Sequence, residues 1–489
     1  MITLGIDLGT QSIKAIVYDF DKKEIVAQAS ESIDIINGPD GTREQKARWW
    51  IDALDKCLDT IPNEIKANIS AIAVSGQQHG FVPVSSDGAV LYNVKLWCDT
   101  STLEECKELT RLYGGQEALI NDIGNPILPG YTASKILWLK KHHRDIFDKT
   151  SYVMLPHDYI NYYLTGIVSM ERGDASGTGL MDIRKGTWSE KLCSIIDDSL
   201  KEKLPRTIKE PGILGSILPS IASRFGLSAD VQVATGGGDN MMGAIGTASV
   251  SDGCLTLSLG TSGTLFVSSS KPAIDPFGAL AAFCSSHGSW LPLLCTMNCT
   301  VASESVRKFL DLDVKEFDDI ARKAPVGSEG VLLLPFFNGE RIPNLPNGKG
   351  TFTGLTPENM KKENIARASL EGVSFEFLLG LESFKQSSVE CKTISLTGGG
   401  ANSAIWREIV ADMTGCSVRV PKIKESAAFG AAIQAYWLSS GKPLADIVSE
   451  NVVFDEEKSV EPVMENNKIY KELYKKWCSY VDALTPLFN

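Results

Sequence analysis

Cations are scarce in this sequence: 48 Lys and Arg stand against 60 Asp and Glu in 489 residues, a net charge of −12. Nucleic-acid binders neutralise phosphates with clustered Lys and Arg, and no such surplus exists here. An anionic ligand must instead be met by backbone amides, helix N-termini and a divalent cation. Long apolar runs are missing as well. The most apolar stretch, 331–337, contains Pro335 and falls far short of the ~20 residues that span a bilayer. An acid at position 7, with no basic segment leading into an apolar one, predicts no secretory leader. The 11 cysteines include no CxxC pair, which fits reduced thiols serving as small apolar side chains. These absences predict a soluble cytoplasmic protein with neither nucleic-acid nor membrane partners.

Histidines number 5. His142 and His143 are adjacent, and His157 and His287 lack sequence companions spaced for a metal cluster. Also absent are GxxxxGK(S/T), HExxH, GxSxG and a GxGxxG completed after an N-terminal strand. Their absence excludes a P-loop, a zincin site, a nucleophile elbow and a Rossmann dinucleotide site.

What is present is ordinary globular composition, 43% hydrophobic and 22% charged, in a chain long enough for two cores. The chain also echoes itself. Residues 4–14 read LGIDLGTQSIK and residues 255–265 read LTLSLGTSGTL, each a β-rich run, a Gly-Thr turn and a second run. Residues 233–240 read VATGGGDN and residues 395–402 read SLTGGGAN, each a short strand entering three glycines ahead of helix-compatible sequence. The order hairpin, glycine turn, hairpin, glycine turn predicts a duplicated α/β domain divided near residue 246. Helices are expected over 45–60 and 362–379, a strand running into a loop over 71–80, and a long Pro/Gly/Asn-rich loop over 332–350.

The paired motifs differ where chemistry is expected. Asp7 precedes the first Gly-Thr turn and Ser258 the second; Asp239 follows the first glycine triplet and Ala401 the second. Gly-Thr turns offer backbone N–H groups and hydroxyls to phosphate oxygens without positive charge. Asp7 suits a Mg²⁺ ion bound through waters, or alternatively bonds its own turn. Asp239 suits a general base taking the proton of a hydroxyl that attacks a γ-phosphate, or alternatively an N-cap. The second glycine turn, free of acid, suits a nucleotide. Gln78 and His79 in GQQHG suit hydrogen bonds to sugar hydroxyls, although a lone His is more often structural.

With these residues in view, the chain resembles the FGGY carbohydrate kinases over nearly its whole length. The resemblance rests on IDLGT, TGGGDN, LSLGTSG and TGGGAN, and on two long signatures. These are GYTASKILWLKKH (130–142) and GTFTGLTPENMKKENIARASLE (350–371), the second with Gly354, Leu355, Ala368 and Glu371 in place. Three segments, GQQHG (76–80), GDASGT (173–178) and GERIPNLP (339–346), are most similar to the xylulokinase branch, Gln78 standing where that branch has Met. The resemblance implies two ribonuclease H-like (actin-like ATPase) domains around a central cleft. Residues 1–245 would bind sugar and supply the base, and residues 246–489 would bind ATP. It implies ATP-dependent, Mg²⁺-dependent phosphorylation of a small sugar, D-xylulose foremost, with a homodimer as the candidate assembly. It carries substrate contact to Gln78, His79 and Asp239, the base role to Asp239, and metal binding to Asp7 and Asp239, with Asp7 joining Asp239 as a catalytic residue. Thr10, Gly260, Thr261, Gly400, Ala401 and Asn402 fall on its nucleotide-facing loops. Lys135 and Trp138 in the first signature read as packing residues. The rival readings are an FGGY kinase for ribulose, gluconate, fuculose or glycerol, a sugar-binding regulator without catalysis, and an actin- or Hsp70-like ATPase.

Overall fold

A computed structural model describes residues 1–206 and 208–488. The chain divides into two compact units. The first comprises Met1–Val250, Ser268–Pro292 and Glu425–Val452; the second comprises Ser251–Val267, Leu293–Lys424 and Val453 onward.

In the first unit, β1 (Ile2–Leu8) and β2 (Ser12–Asp19) form the expected hairpin, with Gly9 N–H donating to the Ser12 carbonyl across the turn at 3.0 Å. Next come β3 (Glu24–Ser32), α1 (Ala47–Thr60), β4 (Ile69–Gly76), α2 (Thr132–His142), α3 (Pro156–Thr165), α4 (Arg172–Ala175), β5 (Ile213–Ser216), β6 (Gln232–Ala234), β7 (Gly237–Gly238) and α5 (Asp239–Gly246). The sheet order is β5-β6-β4-β1-β2-β3, with β7 also on β4. Strand β1 pairs antiparallel with β2 and parallel with β4, which is parallel to β6 and β7. Period-two alternation sends Leu4, Ile6 and Leu8 into one core, where Trp50, Leu54 and Leu58 of α1 meet them. A second core gathers α2 and its neighbours around Leu109, Ile136 and Phe147.

In the second unit, β8 (Cys254–Leu259), β9 (Gly263–Val267) and β10 (Leu293–Thr296) form an antiparallel set. The remaining strands are β11 (Leu332–Pro335), β12 (Gly350–Thr353), β13 (Thr393–Thr397) and β14 (Ser417–Arg419). Helices α6 (Thr300–Phe309), α7 (Lys362–Gln386) and α8 (Ala404–Thr414) accompany them. The main sheet runs β10-β9-β8-β13-β14, with β8, β13 and β14 mutually parallel. Each unit therefore has a hairpin with a third antiparallel strand on one side and parallel strands on the other. The duplicated α/β design is present, and the two hairpins occupy equivalent places.

Two sequence expectations are corrected. The glycine triplets are not equivalent: the second ends β13, the parallel strand beside the hairpin, whereas the first follows β6, one strand farther out. The first-unit counterpart of Gly398–Asn402 is the end of β4, Gly76–His79. Three glycines are a local solution for a sharp exit from a strand, so they recurred without marking the same position. Part of the loop expected over 332–350 is also strand, since Leu332–Pro335 pairs antiparallel with Gly350–Thr353 and buries its apolar side chains.

The chain then returns to the first unit with α9 (Ser426–Ser440), whose Ala428–Tyr436 are all buried. It lies against the face of β1 that carries Thr3 and Gly5; Thr3 Oγ1 donates to the Ala432 carbonyl at 2.8 Å. A Cβ on Gly5 would stand 1.9 Å from the Ala428 carbonyl oxygen, and one on Gly430 would stand 1.8 Å from that of Met242 in α5. Only glycine permits such approach. The sequence reading divided the chain once, near residue 246; the compact units interleave because α9 and the segment 268–292 belong to the first unit. Among the described residues no helix is long and apolar enough to cross a membrane, and all 11 cysteines are free.

Candidate active site

Parallel pairing sets the carboxylates. On β4, Ser75 is flanked by Asp7 of β1 on one side and Gly237 of β7 on the other, so Asp7 and Asp239 emerge at the same end of neighbouring strands. Both are half-buried. Ser75 Oγ donates to Asp7 Oδ1 at 2.8 Å. Asp239 is the first residue of α5 and does not cap it: Gly238 is the N-cap, and the carboxylate accepts from the Asn240 N–H (2.8 Å) and Nδ2 (3.1 Å). Loss of hydration lifts Asp7 to about 6, against the pull of the Ser75 hydrogen bond. The same loss, then the charge of Asp7, lifts Asp239 to about 8. Asp239 is thus a carboxylate of unusual basicity.

The sugar-loop candidates sit beside it. Buried Gln78 accepts from Asn240 Nδ2 at 3.0 Å, linking it to the Asp239 hydrogen-bond system. His79 adopts φ 65°, a strained conformation for a residue with a Cβ, and its ring lies 4.9 Å from that of Tyr131 and 5.6 Å from that of Phe283. The loop is held by Lys135, fully buried in α2, whose Nζ donates to the carbonyls of His79 (2.8 Å) and Gly130 (2.7 Å). Burial pushes this ammonium down to about 7. Sequence reasoning read Lys135 only as a packing residue of the first signature, because its partners are main-chain carbonyls that leave no mark in the sequence.

Thr10 is tied into the same unit. Its hydroxyl accepts from Trp97 Nε1 at 2.9 Å and donates to Gln77 Oε1 at 3.2 Å, while its carbonyl accepts from Gln45 Nε2 at 2.7 Å.

The other nucleotide-facing candidates group in the second unit. Parallel β8 and β13 end side by side, which places the Gly260–Thr261 turn next to Gly400, Ala401 and Asn402. The carbonyls of Gly260 and Thr261 accept from Thr300 N–H (2.9 Å) and Cys299 N–H (3.1 Å) at the start of α6. A Cβ on Gly398 would stand 2.5 Å from the Leu259 carbonyl oxygen, so that glycine lets the two turns touch. Buried Arg407 holds the second turn, its Nη1 donating to the carbonyls of Ala401 (2.8 Å) and Asn402 (3.1 Å). It is a second residue that the sequence did not single out.

The FGGY-family carbohydrate kinase N-terminal domain model matches residues 2–246, and the C-terminal domain model matches residues 255–439. The chain belongs to the FGGY family of carbohydrate kinases. A relative from Haemophilus influenzae called xylulose kinase is 39% identical over 490 residues, covering 98% of this chain and 99% of its own. Among solved structures, a "xyloylose kinase" from Brucella ovis superposes with a TM-score of 0.93 at 29% identity, covering 100% of both chains. A gluconate kinase from Lactobacillus acidophilus gives 0.91 at 25% identity, covering 99% of this chain and 98% of its own. This FGGY kinase therefore has the family's two-domain α/β fold and phosphorylates a sugar with ATP as cosubstrate.

Proposed function

We propose that this FGGY kinase transfers the γ-phosphoryl group of ATP to D-xylulose, giving D-xylulose 5-phosphate and ADP, with Asp239 as the general base. The observation that supports this most is Asp239 itself: half-buried, lifted to about 8, and bridged to Gln78 by the Asn240 amide, which donates to both. Gln78 and His79 bind the sugar. The attacking hydroxyl oxygen forms a bond to the γ-phosphorus, the bond to the β–γ bridging oxygen breaks, and the hydroxyl proton passes to Asp239. Thr10, Gly260, Thr261, Gly400, Ala401 and Asn402 hold the nucleotide through turns and backbone amides. Xylulose kinase is the name of the Haemophilus relative, which favours the ketopentose.

The residues fit a Mg²⁺ ion. Two half-buried carboxylates, both lifted by desolvation and Asp239 further by the charge of Asp7, are hard oxygen donors short of a cation. No group of three or more acidic, His or Cys residues suited to a metal occurs among the described residues, and Mg²⁺ asks only for one or two carboxylates beside waters and phosphates. Asp7 and Asp239 would hold it, and when bound it offsets negative charge on the transferred phosphoryl group.

Sugar-dependent ADP release over D-xylulose, D-ribulose, D-gluconate, L-fuculose and glycerol tests the substrate. A higher kcat/KM for any of the others would replace D-xylulose. D-Gluconate is the pointed rival, given the likeness to the Lactobacillus structure and the polar Gln78. Asp239→Asn should keep sugar binding and lose turnover by about 10²–10⁴-fold; near-normal turnover would remove the base assignment.

A further inference from the structure

The GDASGT segment has no role in the mechanism so far, yet it folds against the sugar loop. Asp174 lies in α4, wholly buried, and the chain continues into a 3-10 turn, Ser176–Thr178. A Cβ on Gly177 would stand 2.3 Å from His79 Cε1 and 3.5 Å from Gln78 Nε2. One on Gly173 would stand 2.7 Å from Ser286 Oγ, and one on Gly237 2.1 Å from the same hydroxyl. The bend carrying Asp174 thus reaches from Ser286 to Gln78 and His79, alongside the glycines that lead into Asp239.

Three polar atoms in this neighbourhood are buried and have no hydrogen-bond partner: Asp174 Oδ1, Gln78 Nε2 and Ser286 Oγ. They are an acceptor, a donor and a group that can do either. Buried polar atoms are rarely left unpaired, so three of them in one neighbourhood mark a place that a polar ligand completes. The other carboxylate oxygen of Asp174 is engaged, lying 2.7 Å from His157 Nδ1. His157 Nε2 is 3.1 Å from Asp158 Oδ1, without hydrogen-bond alignment. Burial works against the charge on His157, but Asp158 and Asp174 outweigh it and lift the imidazole to about 9. Sequence reasoning gave His157 no companions; the fold supplies two carboxylates, Asp158 and Asp174.

We propose that Asp174 is a further sugar-binding residue, its free carboxylate oxygen accepting from a hydroxyl of the substrate while Ser286 supplies a second contact and His157 acts as a positioning residue. The ligand that suits this set is a neutral polyol chain, whose hydroxyls both donate and accept. An aldonic acid does not suit it, because a second carboxylate beside Asp174 would be repelled. The inference rests on the assignment of Gln78 and His79 to sugar binding and narrows it to neutral ketoses over sugar acids.

The test is titration calorimetry of D-xylulose without ATP, together with steady-state kinetics on D-xylulose and D-gluconate. If the parent enzyme prefers another neutral sugar of the panel, that sugar replaces D-xylulose, whereas a preference for D-gluconate would overturn the proposal. Asp174→Asn should weaken sugar binding and raise the sugar KM by about 10- to 100-fold, with kcat within a few-fold and the KM for ATP unchanged. Its discrimination against D-gluconate should fall. A folded Asp174→Asn protein with parental sugar affinity and selectivity would overturn the proposal. Should that variant fail to fold, Ser286→Ala, which leaves no buried charge, decides the matter: several-fold weaker sugar binding supports it and unchanged binding overturns it. Binding measured without ATP reports on Asp174 even if Asp239→Asn proves active, so failure of the base assignment stays distinguishable.

Discussion

Asp239 holds its proton to about 8 first because it is desolvated and then because Asp7 is near. A general base works only when deprotonated, so kcat/KM should climb from pH 6 to 8. Asp7→Asn removes the secondary cause, and the residual rate should rise at a lower pH than in the parent. An unchanged midpoint in that pH profile would separate the two carboxylates. Stability carries the opposite sign. The folded protein keeps a proton on Asp239 that the unfolded chain has released above about 3.8, so this group favours folding below that value and the benefit is lost as pH rises through about 8. In metal-free buffer, the Tm of Asp239→Asn should therefore gain on the parent between pH 5 and pH 8. Lys135 belongs to the same scale. With Lys135→Met the His79 and Gly130 carbonyls lose an ammonium donor, and the sugar KM should rise about tenfold while kcat changes little. An unaltered KM would return Lys135 to the packing role read from sequence.

Among elements, the crossing of α5 and α9 leaves least room for change. Gly430→Ala places a methyl 1.8 Å from the Met242 carbonyl oxygen, a backbone atom that cannot swing aside. Denaturant unfolding should show a loss of about 1–3 kcal/mol or more. Gly399→Ala, with nothing within 4 Å of its Cβ, should stay within about 0.5 kcal/mol of the parent. Equal losses in the two variants would refute this account of the crossing. The same comparison shows what sequence can convey about elements. Both hairpins were legible because alternating apolar residues and a Gly-Thr turn are local signals. The helices expected over 45–60 and 362–379 were legible too, although the second runs on to Gln386. The glycine triplets misled because a sharp strand exit is written identically wherever it occurs in a sheet. Arg407, Lys135 and the Asp174–His157 pair were silent, since their partners are main-chain carbonyls or residues that meet only through the fold.

For the molecule as a whole, the family's two domains were legible in the motifs and the duplication, and the interleaving of the compact units was not. Nothing about Ala428–Tyr436 as a string says that it will cover β1 rather than a strand nearer in sequence. A fragment ending at Val250 keeps Asp7, Gln78, His79, Asp174 and Asp239 but lacks α9 and the segment 268–292. It should show no cooperative thermal transition and bind a hydrophobic dye. A sharp transition with native-like near-UV dichroism would show that the first unit stands without them.

The late arrival of α9 also bears on biosynthesis. While the ribosome works through the second unit, the nascent first sheet waits with the Thr3–Gly5 face of β1 uncovered, a surface that chaperones recognise and that neighbouring polysomes can aggregate. Because Asp239 opens the helix that α9 grips, unfinished chains should not hydrolyse ATP, and the cell is spared a half-made kinase.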